Sequence, residues 1–196
     1  MTFIETIPED DAEGATADWY AADRERLGYL PNYAKVFGHR PAAYAAWKQL
    51  GGAIGGAMDP RRYELATLAA ARVLRSSYCS LAHGKILAEQ LLGPETTRAV
   101  ADGDADTVLD PVDAEIVRFA TLVTRDAAAV TAKDVDRLRA VGLSDEDILD
   151  VTLAAAARCF FSTVLEALGV QPDPAYQALD PDLRAALTVG RPIAEA

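Results

Sequence analysis

Apolar residues recur along most of the chain at the three- and four-residue spacing of amphipathic helices. Alanine, leucine and arginine, which favour helices, are abundant, and β-branched residues do not alternate with polar ones as they would in strands. Turn signals built from glycine and proline separate segments of helical length. The pattern therefore predicts an all-α chain.

Capping residues and breaks mark where the predicted helices begin and end. Asp59-Pro60 and Asp110-Pro111 each put a carboxylate at the cap and a proline at the first helical position. Thr131 and Ser144 are predicted to cap two later helices. The predicted segments are residues 12–27, a short piece ending near 38, 41 to the glycine run 51–56, 59–75, 76–92, 110–123, a helix from 131, and 144–168. We expect the acidic stretch around 102–106 to be a solvated loop and the proline-bearing tail to form short turns.

Length and net charge limit the classes of protein to which this chain can belong. The 196 residues fit a single domain over 1–196 with a substantial core. The formal net charge of −11 argues against nucleic acid and against an anionic membrane surface as partners. No uninterrupted apolar stretch approaches the length that spans a bilayer, and the N-terminus lacks the pattern of a secretory signal. We therefore expect a cytoplasmic protein with no membrane or nucleic-acid partner.

The segment from Glu64 to His83 contains the three residue types that thiol chemistry requires. If Ser76 caps a helix, Cys79 lies in its first turn, where free backbone amides and the helix dipole favour a thiolate. His83 follows four residues later on the same helical face, and Glu64 lies on the preceding helix. This arrangement predicts a nucleophile, Cys79, with His83 as its base and Glu64 either orienting the imidazole or acting as the primary base.

Each of these residues also has an ordinary structural interpretation. Cys79 can be a small buried hydrophobic residue, as free cysteines often are. His83 can be a structural histidine whose nitrogens are satisfied by nearby polar groups. Glu64 can pair with Arg61, which lies three residues earlier on the same helical face. The catalytic interpretation is therefore a hypothesis that the packing of the two helices must support.

Ser76, Tyr78 and Cys159 are secondary candidates. Ser76 and Tyr78 are predicted as possible site-lining residues, although Ser76 can be a simple helix cap and Tyr78 can pack in the core. Cys159 falls on the apolar stripe of its helix, so we expect it to be buried; a disulfide to Cys79 would need Cα atoms within about 7 Å. One Cys, one His and one Glu do not complete a closed metal site, so we expect no metal and no cofactor.

The spacing of these residues resembles a known motif. Glu, eleven residues, Cys, two residues, Cys, three residues and His is the pattern of the alkylhydroperoxidase AhpD-like and carboxymuconolactone decarboxylase superfamily. Glu64, Cys79 and His83 match three of its positions, and Ser76 stands at the first Cys. Segments similar to its uncharacterised peroxidase-related branch are 28–37, 40–47, 59–64, 158–161 and 165–170. The motif-bearing core covers about 41–170.

The resemblance implies an AhpD-like helical fold that assembles into trimers or hexamers, with each site near a subunit interface. In peroxidase members the second Cys attacks the peroxide, the first resolves the sulfenic acid as a disulfide, and Glu and His manage the protons. Carried onto this chain, Cys79 is peroxidatic, and His83 and Glu64 form the proton relay. Ser76 cannot form a disulfide, so the internal resolving step is missing.

We therefore predict a peroxidase-related oxidoreductase that reduces a hydroperoxide, or another small-molecule substrate, through Cys79. Its sulfenic acid would be reduced by an external thiol. Two alternatives stay open. One is a decarboxylase-like acid–base enzyme that uses His83 and Glu64 while Cys79 only lines the pocket. The other is a non-catalytic helical oligomer with a degenerate site.

Overall fold

The computed structural model describes residues 2–195, and no strand occurs within them. Its helices in chain order are α1 (Gly14–Leu27), α2 (Asn32–Phe37), α3 (Pro41–Ala57), α4 (Pro60–Val73), α5 (Ser77–Ile86), α6 (Pro94–Asp102), α7 (Ala105–Val108), α8 (Pro111–Asp126), α9 (Ala132–Ala140), α10 (Asp145–Ala167) and α11 (Pro181–Leu187). A π-helical turn, Leu87–Leu91, continues α5, and 3₁₀ turns cover Glu9–Asp11, Ala127–Ala129 and Pro174–Ala178. The all-α class predicted from the sequence is confirmed.

Side-chain caps begin several helices at the positions that the sequence predicts. The Asp59 carboxylate accepts a hydrogen bond from the Arg62 amide, and Asp110 caps α8 in the same way. Thr131 and Ser144 each form a reciprocal capping box with the residue three positions later. Local chemistry thus determines where α4, α8, α9 and α10 start.

Three stretches differ from the expectation. Helix α3 does not fade in its glycine run but continues to Ala57, because its packing against α10 offsets the weak helix propensity of glycine. The acidic stretch expected to be a loop is mostly helical, in α6 and α7, since Val100, Ala101 and Ala105 bury their side chains. The tail forms a full helix, α11, whose Leu183 and Leu187 enter the core.

Helix α4 is the centre of the fold. It packs against α5, α8 and α10, and its residues from Glu64 to Ala71 are all buried. One core cluster lies between α4, α8 and α10, and a second lies between α4, α5 and α11. A carboxylate on so enclosed a helix requires a partner, because an ion that is buried without one is strongly destabilising.

Helix α10 is the one helix in residues 2–195 whose length and composition would allow it to cross a membrane. The core helix of a soluble protein passes the same test, and 44% of its most apolar window is buried against the other helices. Its contacts with α3, α4 and α8 make it a core helix of this domain.

Helices α1 to α3 form an aromatic layer beside α10. The rings of Phe37 and Trp47 stack on Phe161 at centroid distances of 5.4 and 5.1 Å. Buried Asp23 attaches α1 to this layer by accepting hydrogen bonds from the Tyr44 hydroxyl at 2.7 Å and from Lys48 at 3.4 Å. The layer closes one side of the space above α5.

Candidate active site

The turn between α4 and α5 fixes the start of the helix that carries Cys79. Arg75 adopts a left-handed backbone with φ of 54°, and the Ser76 amide donates to the Ala71 carbonyl at 2.9 Å. The Ser77 hydroxyl accepts a hydrogen bond from the Gly190 amide at 2.8 Å, so the C-terminal segment holds the turn from outside. Cys79 consequently lies in the first turn of α5, where the backbone amides favour negative charge.

Glu64 and His83 are in direct contact across the interface between α4 and α5. His83 Nδ1 lies 2.5 Å from Glu64 Oε2, and both side chains are buried. Arg61 instead pairs with Asp110 and Asp113, so the alternative Arg61–Glu64 pair does not form. The carboxylate fixes the imidazole orientation and leaves Nε2 for other chemistry.

The surroundings of His83 favour its neutral form. Burial, and after it the positive charge of Arg158, lower the pKa of His83 below its usual 6.5, while the nearby Glu64 opposes the shift. A neutral imidazole near physiological pH can accept a proton, which is the property that a base in this position requires.

Cys79 is 2% exposed and contacts Arg158, a residue that lies outside the motif formed by Glu64, Cys79 and His83. Arg158 Nη1 lies 3.6 Å from Cys79 Sγ. The guanidinium carbon lies 5.7 Å from the Trp47 ring centroid and 5.6 Å from that of Phe161. A sequence signal existed, because Arg158 is the lone charged residue between Asp150 and Glu166 on an otherwise apolar helix.

A cavity of about 380 Å³ opens over α5, and Cys79, His83 and Arg158 all line it. Much of its wall is aromatic, contributed by Tyr29, Tyr33, Tyr78, Phe161 and Tyr176. Glu64 is not part of the lining and contacts the cavity only through His83. The space is far larger than a hydrogen peroxide molecule and can hold an organic substrate.

Tyr78 has both of the roles that the sequence left open. Its ring lines the cavity, and its hydroxyl donates a hydrogen bond to buried Asp173. Asp173 also accepts from the Asn32 amide at 2.8 Å and bonds Tyr29. Burial raises the pKa of Tyr29 to about 12, with Asp173 as the next cause, so its hydroxyl stays protonated. These bonds connect three distant parts of the chain around the cavity.

Ser76 and Cys159 lie outside the cavity lining. Ser76 occupies the cap position of α5, but its side chain does not cap the helix and is buried. Burial raises the pKa of Glu166, and Ser76 partly opposes that shift. Cys159 is half-buried instead of buried as expected, because it lies at the edge of the buried face of α10. Both cysteines are free thiols. Within residues 2–195, no three Cys, His, Asp or Glu side chains are grouped to hold a metal ion.

Comparisons with known proteins agree with this fold. The model of the carboxymuconolactone decarboxylase family matches residues 41–107, which include Glu64, Cys79 and His83. An uncharacterised peroxidase-related protein with an alkylhydroperoxidase AhpD core, from Ralstonia eutropha JMP134, is 20% identical, with a TM-score of 0.79 over 97% of this chain and 98% of that one. An uncharacterised peroxidase-related protein from Silicibacter sp. TM1040 is also 20% identical, with a TM-score of 0.81 over 90% and 94% of the two chains.

A third similar structure is a Cys-to-Ala variant of the debrominase Bmp8 in complex with 2,3,4-tribromopyrrole. It is 16% identical, with a TM-score of 0.73 over 95% of this chain and 96% of that one. No curated protein matches the sequence. At these identities the structural likeness shows the shared fold.

Proposed function

Because the chain belongs to the superfamily of AhpD-like proteins and carboxymuconolactone decarboxylases, we propose that it is a thiol-dependent oxidoreductase that reduces hydroperoxides through Cys79. One observation carries the proposal. Cys79 and His83 line the same cavity, while Glu64 holds His83 Nδ1 from behind. A nucleophile, a base and a group that orients the base are the parts that nucleophilic catalysis uses.

The first requirement is the thiolate, which is the reactive form of cysteine. His83 lies one helical turn after Cys79 on the same face, and its Nε2 is not occupied by Glu64. The thiol proton can leave through this imidazole to solvent. His83 is then neutral again and ready for the next proton transfer.

The oxidation step transfers one oxygen atom. The Cys79 sulfur forms a bond to the distal oxygen of the hydroperoxide, the O–O bond breaks, and its electron pair moves to the proximal oxygen. His83 Nε2 accepts the hydroxyl proton of the distal oxygen and delivers it to the proximal one. The products are a cysteine sulfenate and an alcohol, so the sulfur loses the two electrons that the peroxide gains.

Regeneration needs a thiol from outside the motif. Ser76 stands at the resolving position, and its side chain does not line the cavity. An external thiol would attack the sulfenic sulfur and release water, and a second thiol would free Cys79 from the mixed disulfide. The cavity is large enough to admit a small thiol to Cys79.

A second candidate reaction replaces a halogen on a small aromatic ring by hydrogen: halide leaves, and two external thiols supply the two electrons and become a disulfide. The aromatic wall of the cavity supports it, since five rings surround the space beside Cys79 and would stack on a planar substrate. A protein of the same fold, the debrominase Bmp8, was crystallised with tribromopyrrole. Release of halide from a halogenated pyrrole or phenol, measured beside hydroperoxide consumption, distinguishes the two reactions.

Steady-state kinetics with an external thiol test the proposed function. We expect wild type and the Cys159→Ser variant to consume an aryl hydroperoxide at equal rates and Cys79→Ser to be inactive. Loss of the base in His83→Gln should lower the rate by about 10²- to 10⁴-fold. A Cys79→Ser variant that retains the wild-type rate would contradict the proposal and favour acid–base chemistry by His83 and Glu64 alone.

We also propose that copies of this chain assemble through the outer face of α10. Leu149, Leu153 and Phe160 lie four and seven residues apart on one stripe, and each is exposed by more than a third. Light scattering after size exclusion should give a trimer or hexamer. Leu153→Glu should dissociate it, whereas Val108→Glu, an exposed apolar position on α7, should not. A wild-type monomer at micromolar concentration would contradict this assembly.

A further inference from the structure

Arg158 is a buried cation that no carboxylate neutralises within residues 2–195. The residue is 6% exposed, and none of the ion pairs that the described chain forms includes it. Its Nη1 donates a hydrogen bond to Cys79 Sγ, and its Nε is buried without a hydrogen-bond partner. The carboxylate of the site, Glu64, is hydrogen-bonded to His83.

A guanidinium keeps its charge at any physiological pH, so the free-energy cost of burying Arg158 cannot be avoided by deprotonation. The rings of Trp47 and Phe161 lie within cation–π distance and compensate part of the desolvation. Burial of an ion nevertheless requires a counter-charge, because the loss of hydration exceeds what such contacts return. The group in position to supply that charge is the Cys79 sulfur.

We propose that Arg158 is the counter-ion of a Cys79 thiolate and thus a catalytic residue of this site. With the sulfur deprotonated, the 3.6 Å contact becomes a charge-assisted hydrogen bond in a site screened from water. The thiol proton is released to solvent, so no oxidant or reductant is involved. The first turn of α5 contributes its free amides to the same negative charge.

The pairing also assigns the positive charge beside the sulfur to Arg158 and not to His83. A protonated His83 beside Arg158 would place two like charges against one cavity, which is unfavourable. The arrangement therefore favours a thiolate that is paired with Arg158, beside a His83 that stays neutral. In the oxidation step proposed above, the same guanidinium stabilises the sulfenate oxygen that forms on Cys79.

The inference deepens the proposed function and is tested without peroxide. In a Cys159→Ser background, where Cys79 is the single thiol, the rate of iodoacetamide alkylation measures the thiolate fraction against pH. Near neutral pH we expect Arg158→Met to be alkylated at least about tenfold more slowly than the Cys159→Ser parent. The difference should vanish at strongly alkaline pH, where Cys79 is a thiolate in both proteins. Arg158→Lys, which keeps the charge but not the planar fork, should fall between them.

A purely structural role for Arg158 would change accessibility at all pH values alike, so a pH-independent difference would overturn the proposal, as would superimposable profiles. A second measurement needs no Arg158 variant. The ultraviolet absorbance of the thiolate in the Cys159→Ser protein should already be present near neutral pH, and its appearance only at alkaline pH would also overturn the proposal.

The two proposals can fail separately. A thiolate that depends on Arg158 but never yields a sulfenate supports the ion pair and contradicts the peroxidase function. A sulfenate that forms at an unchanged rate in Arg158→Met supports the function and contradicts the ion pair.

Discussion

The Glu64→Gln variant is predicted to slow the oxidation of Cys79 while leaving the fold intact. Gln keeps the shape of the side chain and can still accept a hydrogen bond from His83 Nδ1, but it lacks the negative charge. Glu64 raises the pKa of His83 against the effects of burial and Arg158, so its neutralisation should move that pKa further down. His83 then becomes a weaker proton acceptor in the reaction proposed for the site.

The size of the effect follows from the contact itself. The two atoms lie 2.5 Å apart and both side chains are buried, so solvent does not screen the interaction. A hydrogen bond to a charged group contributes about 1.5–3 kcal/mol. If that stabilisation is lost in the transition state, the rate falls about 10- to 150-fold, at 1.36 kcal/mol per factor of ten.

The assay is a single-turnover measurement in the Cys159→Ser background. Free thiol is counted at intervals after mixing with excess aryl hydroperoxide, so only Cys79 contributes to the signal. Glu95→Gln makes the same chemical change on the exposed surface of α6 and serves as the matched control. Circular dichroism and urea midpoints verify that both variants are folded.

Two results would contradict a role of the Glu64 charge in the reaction. One is a Glu64→Gln rate within about twofold of the Glu95→Gln rate, which would mean that the charge does not act on the reaction. The other is a titration midpoint of His83 that stays equal or rises, followed by NMR with His39→Gln used to assign the two histidines. Either result would reduce Glu64 to a structural partner of His83.

Three further predictions address packing, pH and the second thiol. A Cβ at Gly84 would overlap the Leu187 side chain, so Gly84→Ala should lower the free energy of unfolding by about 1–3 kcal/mol. Gly51 on α3 has open space around it, so Gly51→Ala should raise the free energy of unfolding slightly. The pKa of His83 lies below its usual 6.5, so as pH falls the unfolded chain binds this proton before the folded one does. The free energy of unfolding therefore falls below pH 6.5 by at most about 1.4 kcal/mol per pH unit. His83→Gln should remove this loss, measured by urea midpoints at several pH values. Cys159→Ser should leave steady-state turnover with an external thiol unchanged, and a large decrease would indicate that Cys159 resolves the sulfenate.

Much of the site could be predicted because its signals are local. The Asp-Pro start of α4 and the turn before α5 set the phase of both helices, and the four-residue step places Cys79 and His83 on one face. Such short-range rules depend on backbone geometry that few residues determine. The contact between Glu64 and His83 also needs the packing angle of the two helices, which the local signals do not determine.

The remaining features depend on distant partners. Arg158 contacts Cys79 from a helix 79 residues further along the chain, and Asp173 bonds Tyr78 across 95 residues. No spacing rule connects positions that far apart. Helix α3 likewise continues through its glycines because α10 packs against it, which is tertiary context that overrides local propensity.

Trapping the oxidised form of Cys79 shows whether its sulfur receives the peroxide oxygen. The Cys159→Ser protein is treated with one equivalent of aryl hydroperoxide in the presence of dimedone, and the adduct is located by peptide mass spectrometry. We predict one dimedone adduct on Cys79, an equivalent amount of alcohol product, and no adduct when Cys79 is replaced by Ser. An unmodified Cys79 thiol after complete exposure to the hydroperoxide would contradict this prediction.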